Sequence, residues 1–253
     1  MICPRQQCIF IHIPKTAGQS IETVFLQQAG LSWQNRSALL LRPNDNPALG
    51  PPRLAHLKAS EYVAYGYVDR DAFDAAFKFA FVRNPWARMT SFYHHLSTAR
   101  SFRAYVLGEF RKKVWTEMAW FVGPQSDFIY DEDGRLLVDF VGRFERLQPD
   151  FDAICRRLGM PPRPLPHVNH AAEHRRLYLG LNLRKLLRSW RKRLTKPAPR
   201  FARYQDYYDD DTRALVAELY RSDIELFDYH FDEKPATITE KRYDNKIRNP
   251  HPG

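Results

Sequence analysis

The 253-residue chain is 44% hydrophobic and 27% charged, proportions that fit a globular fold and exclude a disordered or fibrous one. Its net charge of +10 is local: eleven Lys and Arg lie between Glu173 and Arg203 against the single acid Glu173, so the remainder is close to neutral. Cys3, Cys8 and Cys155 are too few for a disulfide framework and lack zinc spacing. No run approaches the ~18 apolar residues of a membrane span, and little precedes the first strand, so a cytoplasmic protein is expected.

In chain order, Cys8–Ile13 is apolar and β-branched and reads as a buried strand. Pro14–Ser20 is a loop, followed by a helix over Ile21–Ala29 closed by Gly30. Residues 32–53 are rich in Pro, Asn and Arg and read as irregular, and Ala55–Tyr65 as a helix with its turn. Phe77–Val82 is a second buried strand. Arg83-Asn-Pro85 ends it, because proline lacks an N–H donor and turns the residue before it away from helix.

Helix resumes over Trp86–Leu96. Residues 102–122 also read as helix, with Val106, Phe110, Val114 and Met118 on one face. Asp131–Gly134 is a turn, Leu136–Phe144 a third strand, and Asp150–Leu158 a helix ended by Gly159. After the proline-rich connection Pro161–Pro166 and the basic block, Asp211–Phe227 reads as a last helix with acids in its first turn. The pattern implies a three-layer α/β fold: a mostly parallel central sheet with helices on both faces. One domain is expected over 1–232, with 173–203 as a basic insertion and 233–253 as a polar tail. In such folds ligands gather at the carboxyl ends of the strands, where Pro14–Ser20 and Arg83–Ser91 both fall.

A buried strand, a small-residue loop with a lysine, and a helix opening with a hydroxyl is phosphate chemistry. Loop amides and the helix N-terminus supply partial positive charge. Lys15 adds a point charge, Thr16 and Ser20 add hydroxyl donors, and Gly18 permits close backbone approach. The order is not that of a Walker A loop, in which Gly-Lys-Ser/Thr closes the loop.

His12-Ile-Pro-Lys-Thr-Ala-Gly-Gln-Ser20 closely resembles the 5′-phosphosulfate loop of the carbohydrate-type sulfotransferases (sulfotransferase family 2), which use 3′-phosphoadenosine 5′-phosphosulfate (PAPS). Gln19 stands where threonine is usual in that family. Phe79-Ala-Phe-Val-Arg-Asn-Pro-Trp-Ala-Arg-Met-Thr-Ser91 resembles the family's 3′-phosphate motif, whose Arg and Ser match Arg83 and Ser91. The resemblance continues through Val138–Glu145, Leu165–Asn169 and Tyr204–Tyr229. It implies a P-loop NTPase-like fold and PAPS as co-substrate. The implied PAPS ligands are Pro14, Lys15, Thr16, Ala17, Gly18, Gln19, Ser20, Arg83 and Ser91. The implied reaction moves a sulfuryl group to a hydroxyl, with a glycan or glycolipid favoured as acceptor.

Charge on the leaving side of such a transfer needs stabilising, a role for Lys15. The acceptor hydroxyl needs a base. His56 is the first candidate, standing where the family often carries a histidine, with Glu61, His94, His95 and His167 behind it. His12 reads first as a hydrogen-bonded core histidine, and Arg143 with Glu145 as an internal ion pair. No metal is implied. The leucine-studded basic block leaves three readings open: a helix on an anionic membrane, such as the inner face, a clamp on a polyanion, or a solvated insertion. No nucleic-acid motif accompanies it. Two rival functions remain. A P-loop small-molecule kinase would need a Mg²⁺-binding acid and a Walker loop. A non-catalytic module would bind polyanions through 173–203.

Overall fold

A computed structural model describes residues 1–166 and 201–232. His167, most of the basic block with its expected helix, and the 233–253 tail lie outside the described residues. Strands β1 (Ile2–Cys3), β2 (Cys8–Ile11), β3 (Phe77–Val82) and β4 (Phe140–Arg143) form one sheet in that spatial order. β1 runs antiparallel to β2, while β2, β3 and β4 are parallel.

Five helices matter for the site: α1 (Gly18–Gln28), α2 (Pro85–Leu96), α3 (Leu147–Arg157), α4 (Asp210–Leu219) and α5 (Arg221–Phe227). Side chains alternate across the strands and split the core into two layers. Phe10, Phe79 and Phe81 pack with Ile21, Val24 and Phe25 of α1 and with Phe151 and Ile154 of α3. Ile9, Ile11, Ala80 and Val82 pack with Met89 and Phe92 of α2 and with Leu215 and Val216 of α4. The expected three-layer α/β arrangement is therefore present. Among the described residues no helix is long and apolar enough to cross a membrane.

The differences from expectation have local causes. α1 begins three residues early, because the small residues Gly18-Gln-Ser20 form its first turn. It ends as expected: Gly30 has φ +70°, and Gly30 N and Leu31 N donate to Gln27 O and Leu26 O at 3.1 and 2.8 Å. Residues 55–65 are not one helix. Ala59 N donates to Phe128 O at 2.7 Å, a tertiary bond that pulls the chain out between a 3₁₀ turn at Leu54–His56 and a short helix at Glu61–Ala64. Within 102–122 the expected face is buried at Val106, Phe110 and Val114, but Tyr105–Val114 is a π-helix and the helix breaks at Met118. The strand read over Leu136–Phe144 shortens to β4. The last helix divides at Tyr220 (φ −116°, ψ 30°), whose buried hydroxyl donates to Val122 O at 2.7 Å.

Candidate active site

Parallel pairing sets Ile11 opposite Ala80, so Pro14 and Arg83, each three residues further on, leave the same end of the sheet. The turn after β2 alternates in hand. Lys15 (φ 72°) and Ala17 (φ 68°) are left-handed, whereas Thr16 and Gly18 are not. Alternation of this kind turns successive amides to one side and makes an anion-binding nest. Two non-glycine residues hold left-handed geometry there, at a cost of about 1 kcal/mol or more each. The backbone N–H groups of Lys15, Thr16 and Ala17 donate to no described residue, and the positive end of α1 follows at Gly18.

Gly18 has a sharper requirement than close approach to an anion. A Cβ there would lie 2.1 Å from Nε2 and Cδ2 of His12, whose ring lies against the loop. That ring is buried, and its Nδ1 meets Glu22 Oε1 of α1 at 2.5 Å. His12 is thus the hydrogen-bonded core histidine expected, but one that shapes the turn. Thr16 is also buried, and its hydroxyl donates to Ile13 O at 2.8 Å. The loop therefore receives the proton that sequence reasoning reserved for a ligand. Pro14 is buried, while Lys15, Ala17, Gln19 and Ser20 are half-buried. Ser20 N donates to Ala17 O at 3.0 Å.

Arg83 reaches this loop: its Nη1 donates to Lys15 O at 3.2 Å. Its guanidinium lies 4.0 Å over the Phe144 ring, and its Nε is buried with no partner. Among the described residues neither Lys15 nor Arg83 has a carboxylate at ion-pair distance. Burial, with Arg83 adding repulsion, pushes the Lys15 ammonium down to about 8. Burial pushes Arg83 down to about 10. A buried donor left unpaired costs about 1–3 kcal/mol, so Arg83 Nε is held there at the expense of the fold.

Partners that sequence reasoning did not foresee hold Arg83 in place. Gln125 clamps its backbone: Arg83 N donates to Gln125 Oε1 and Gln125 Nε2 donates to Arg83 O, both at 2.8 Å. Asp223 of α5, fully buried, accepts from Gln125 N (2.9 Å) and Ser126 N (2.8 Å). Asn84 caps α2 through Trp86 N and Ala87 N, and its own N–H donates to Glu145 Oε1 at 2.8 Å. Glu145 therefore serves Asn84 and the Tyr229 hydroxyl, while Arg143 donates to Phe227 O and stacks on Tyr229, and the expected pairing of the two gives way to these contacts.

Arg88 is the other unforeseen residue. It is 1% exposed, with Nε on Pro14 O (3.0 Å), Nη1 on Gly123 O (2.9 Å) and Nη2 on Phe121 O (3.5 Å). One guanidinium thereby joins the phosphate-type loop to the 121–123 turn. Ser91, a turn further along α2, is half-buried, and its hydroxyl bonds to no described residue, whereas that of Thr90 donates to Ala87 O at 2.8 Å.

His56 comes to the same place. Its Nδ1 donates to His12 O at 3.0 Å, which puts the ring proton on Nδ1 and leaves the lone pair on Nε2. The rings of His12 and His56 are 4.6 Å apart. Burial, helped by His12, holds the His56 imidazole well below its usual range, so it is neutral at pH 7. The reserve bases lie differently. Glu61 accepts Lys58 N at 2.8 Å, and His94 and His95 are exposed in the last turn of α2, with His94 Nε2 2.9 Å from the Tyr207 hydroxyl.

A family model, described as the sulfotransferase family, matches residues 1–230. The chain belongs to the sulfotransferase family. The loop, Arg83 and His56 thus sit in the matched part of a sulfotransferase-family domain. The family member is also 28% identical over 120 residues to an uncharacterized protein of Archaeoglobus fulgidus, covering 47% of this chain and 92% of the relative. No solved structure matches it.

Proposed function

We propose that this family member transfers a sulfuryl group from PAPS to a hydroxyl of a carbohydrate. The observation that carries this reading is the meeting of Lys15 and Arg83 beside three loop amides that donate to no described residue. Two neighbouring cations that, among the described residues, have no carboxylate at ion-pair distance suit a ligand with two anionic ends. In the reading, the phosphosulfate lies on Pro14–Ser20, and the 3′-phosphate takes the open donors of Arg83 and the Ser91 hydroxyl.

The acceptor O–H gives its proton to Nε2 of His56, and the oxygen attacks sulfur. The bond from sulfur to the bridging 5′-phosphate oxygen breaks, and its electron pair stays on that oxygen. Lys15 and the loop amides stabilise the charge that develops there. The products are a sulfate ester and adenosine 3′,5′-bisphosphate. The test is transfer of radiolabelled sulfate from PAPS to a panel of glycans by the wild-type chain and by Lys15→Ala. Transfer that falls by roughly a hundredfold or more in the variant supports the reading. Equal transfer by both proteins, or none with PAPS on any hydroxyl acceptor, contradicts it.

A further inference from the structure

Beside His56 stands an aromatic residue that the donor site leaves unused. Trp120 is half-buried, and its ring centroid lies 6.0 Å from that of His56 at an interplanar angle of 36°. Phe121, next in sequence, is buried, packs edge-on to the histidine at 5.5 Å and lies 5.4 Å from the Trp120 ring. The two residues therefore divide the work: Phe121 fixes the imidazole, and Trp120 keeps part of its indole open next to it.

Their turn is held to the donor loop. The helix breaks at Met118 (φ −126°, ψ 30°) and restarts as Ala119–Val122, which closes where Gly123 N donates to Ala119 O at 2.8 Å. Arg88 then bonds both Phe121 O and Gly123 O with one end of its guanidinium and Pro14 O with the other. A rigid link therefore sets Trp120, His56 and the Pro14 loop in register. A half-open indole edging a base that must receive an acceptor proton is what a ring-shaped, weakly apolar acceptor face would need.

We infer that Trp120 is the stacking platform for the acceptor, and that the acceptor presents a pyranose ring to it while one ring hydroxyl meets Nε2 of His56. The inference rests on the function proposed above and deepens it. Trp120 is a specificity residue for the acceptor and takes no part in holding the nucleotide.

The test uses the full chain, PAPS, and methyl β-D-glucopyranoside, galactopyranoside and glucuronide as acceptors, with Trp120→Ala and Trp120→Phe. The expected result is a rise of roughly tenfold or more in acceptor KM for Trp120→Ala, with recovery of most of it in Trp120→Phe. Affinity for adenosine 3′,5′-bisphosphate and the melting temperature should stay at the wild-type values. An unchanged KM overturns the platform. So does a loss of bisphosphate affinity or melting temperature that parallels the loss of activity, since it makes Trp120 a packing residue. A wild-type chain that binds the bisphosphate selectively yet sulfates no pyranoside overturns the platform while the donor site stands. Failure to bind the bisphosphate at all removes the proposed function itself.

Discussion

The guanidinium of Arg83 donates a 3.2 Å hydrogen bond to the backbone carbonyl of Lys15, 68 residues earlier in the chain. The contact fastens the two segments proposed to bind the nucleotide and crowds two cations. Burial and that crowding hold Lys15 at about 8. A bound dianion favours the ammonium, so binding takes up a proton. Near pH 8 the expected uptake approaches half a proton per site in calorimetry with buffers of different ionisation enthalpy. Lys15→Met abolishes it. Proton release, or equal uptake by the variant, would show that the ligand sits elsewhere.

Gly18 and His12 should behave as one unit. The side chain of Gly18→Ala would meet the imidazole at 2.1 Å, and the ring is locked by Glu22. A loss of about 1–3 kcal/mol in urea unfolding is expected. In a His12→Ala background the same change should cost much less, giving a coupling energy above about 1 kcal/mol. Additive losses would mean that the ring does not press on the loop.

His56 gives a stability profile with a definite sign. Its folded pKa lies well below 6.5, so the unfolded chain gains a proton that the folded chain refuses. Its contribution is complete above about pH 6.5 and is lost as pH falls below it, at up to about 1.4 kcal/mol per pH unit. His56→Asn keeps a donor for His12 O but cannot titrate. The difference in unfolding free energy between wild type and variant should therefore slope between pH 5 and 6.5 and flatten above. A difference independent of pH would mean that folding leaves the His56 pKa unshifted, and the opposite slope would mean that the fold favours its protonated form.

Arg88 carries three carbonyls that no smaller side chain can reach together. Arg88→Met removes a buried charge, which by itself is favourable, but orphans Pro14 O, Gly123 O and Phe121 O. The orphaned carbonyls should win, with a loss of about 3 kcal/mol or more. Arg88→Lys should rescue little, because one ammonium lacks the planar fork. Guanidinium unfolding curves within 1 kcal/mol of wild type would count against this role for the side chain.

How much of this was legible depends on range. β2, β3 and α2 follow from local rules: buried β-branched and aromatic runs, and an Asn-Pro pair whose asparagine caps the helix. The loop lysine and Arg83 were visible as chemistry placed directly after strands. Residues acting across the chain were not. Gln125 serves Arg83 from 42 positions away, and Asp223 serves Gln125 from 98. Arg88 left one trace, a charge amid the buried Trp86, Met89 and Phe92 of its helix. The π-helix was unreadable because Val106, Phe110 and Val114 mark a buried face without fixing which carbonyl each amide meets.

The proposed two-ended grip is tested most directly by titrating the wild-type chain and Arg83→Ala with adenosine 3′,5′-bisphosphate, AMP and ATP in a calorimeter. Wild type should prefer the bisphosphate, and Arg83→Ala should lose roughly ten- to hundredfold of its affinity while AMP binding barely changes. If wild type binds AMP or ATP as tightly as the bisphosphate, or if Arg83→Ala keeps the preference, Lys15 and Arg83 do not share one nucleotide.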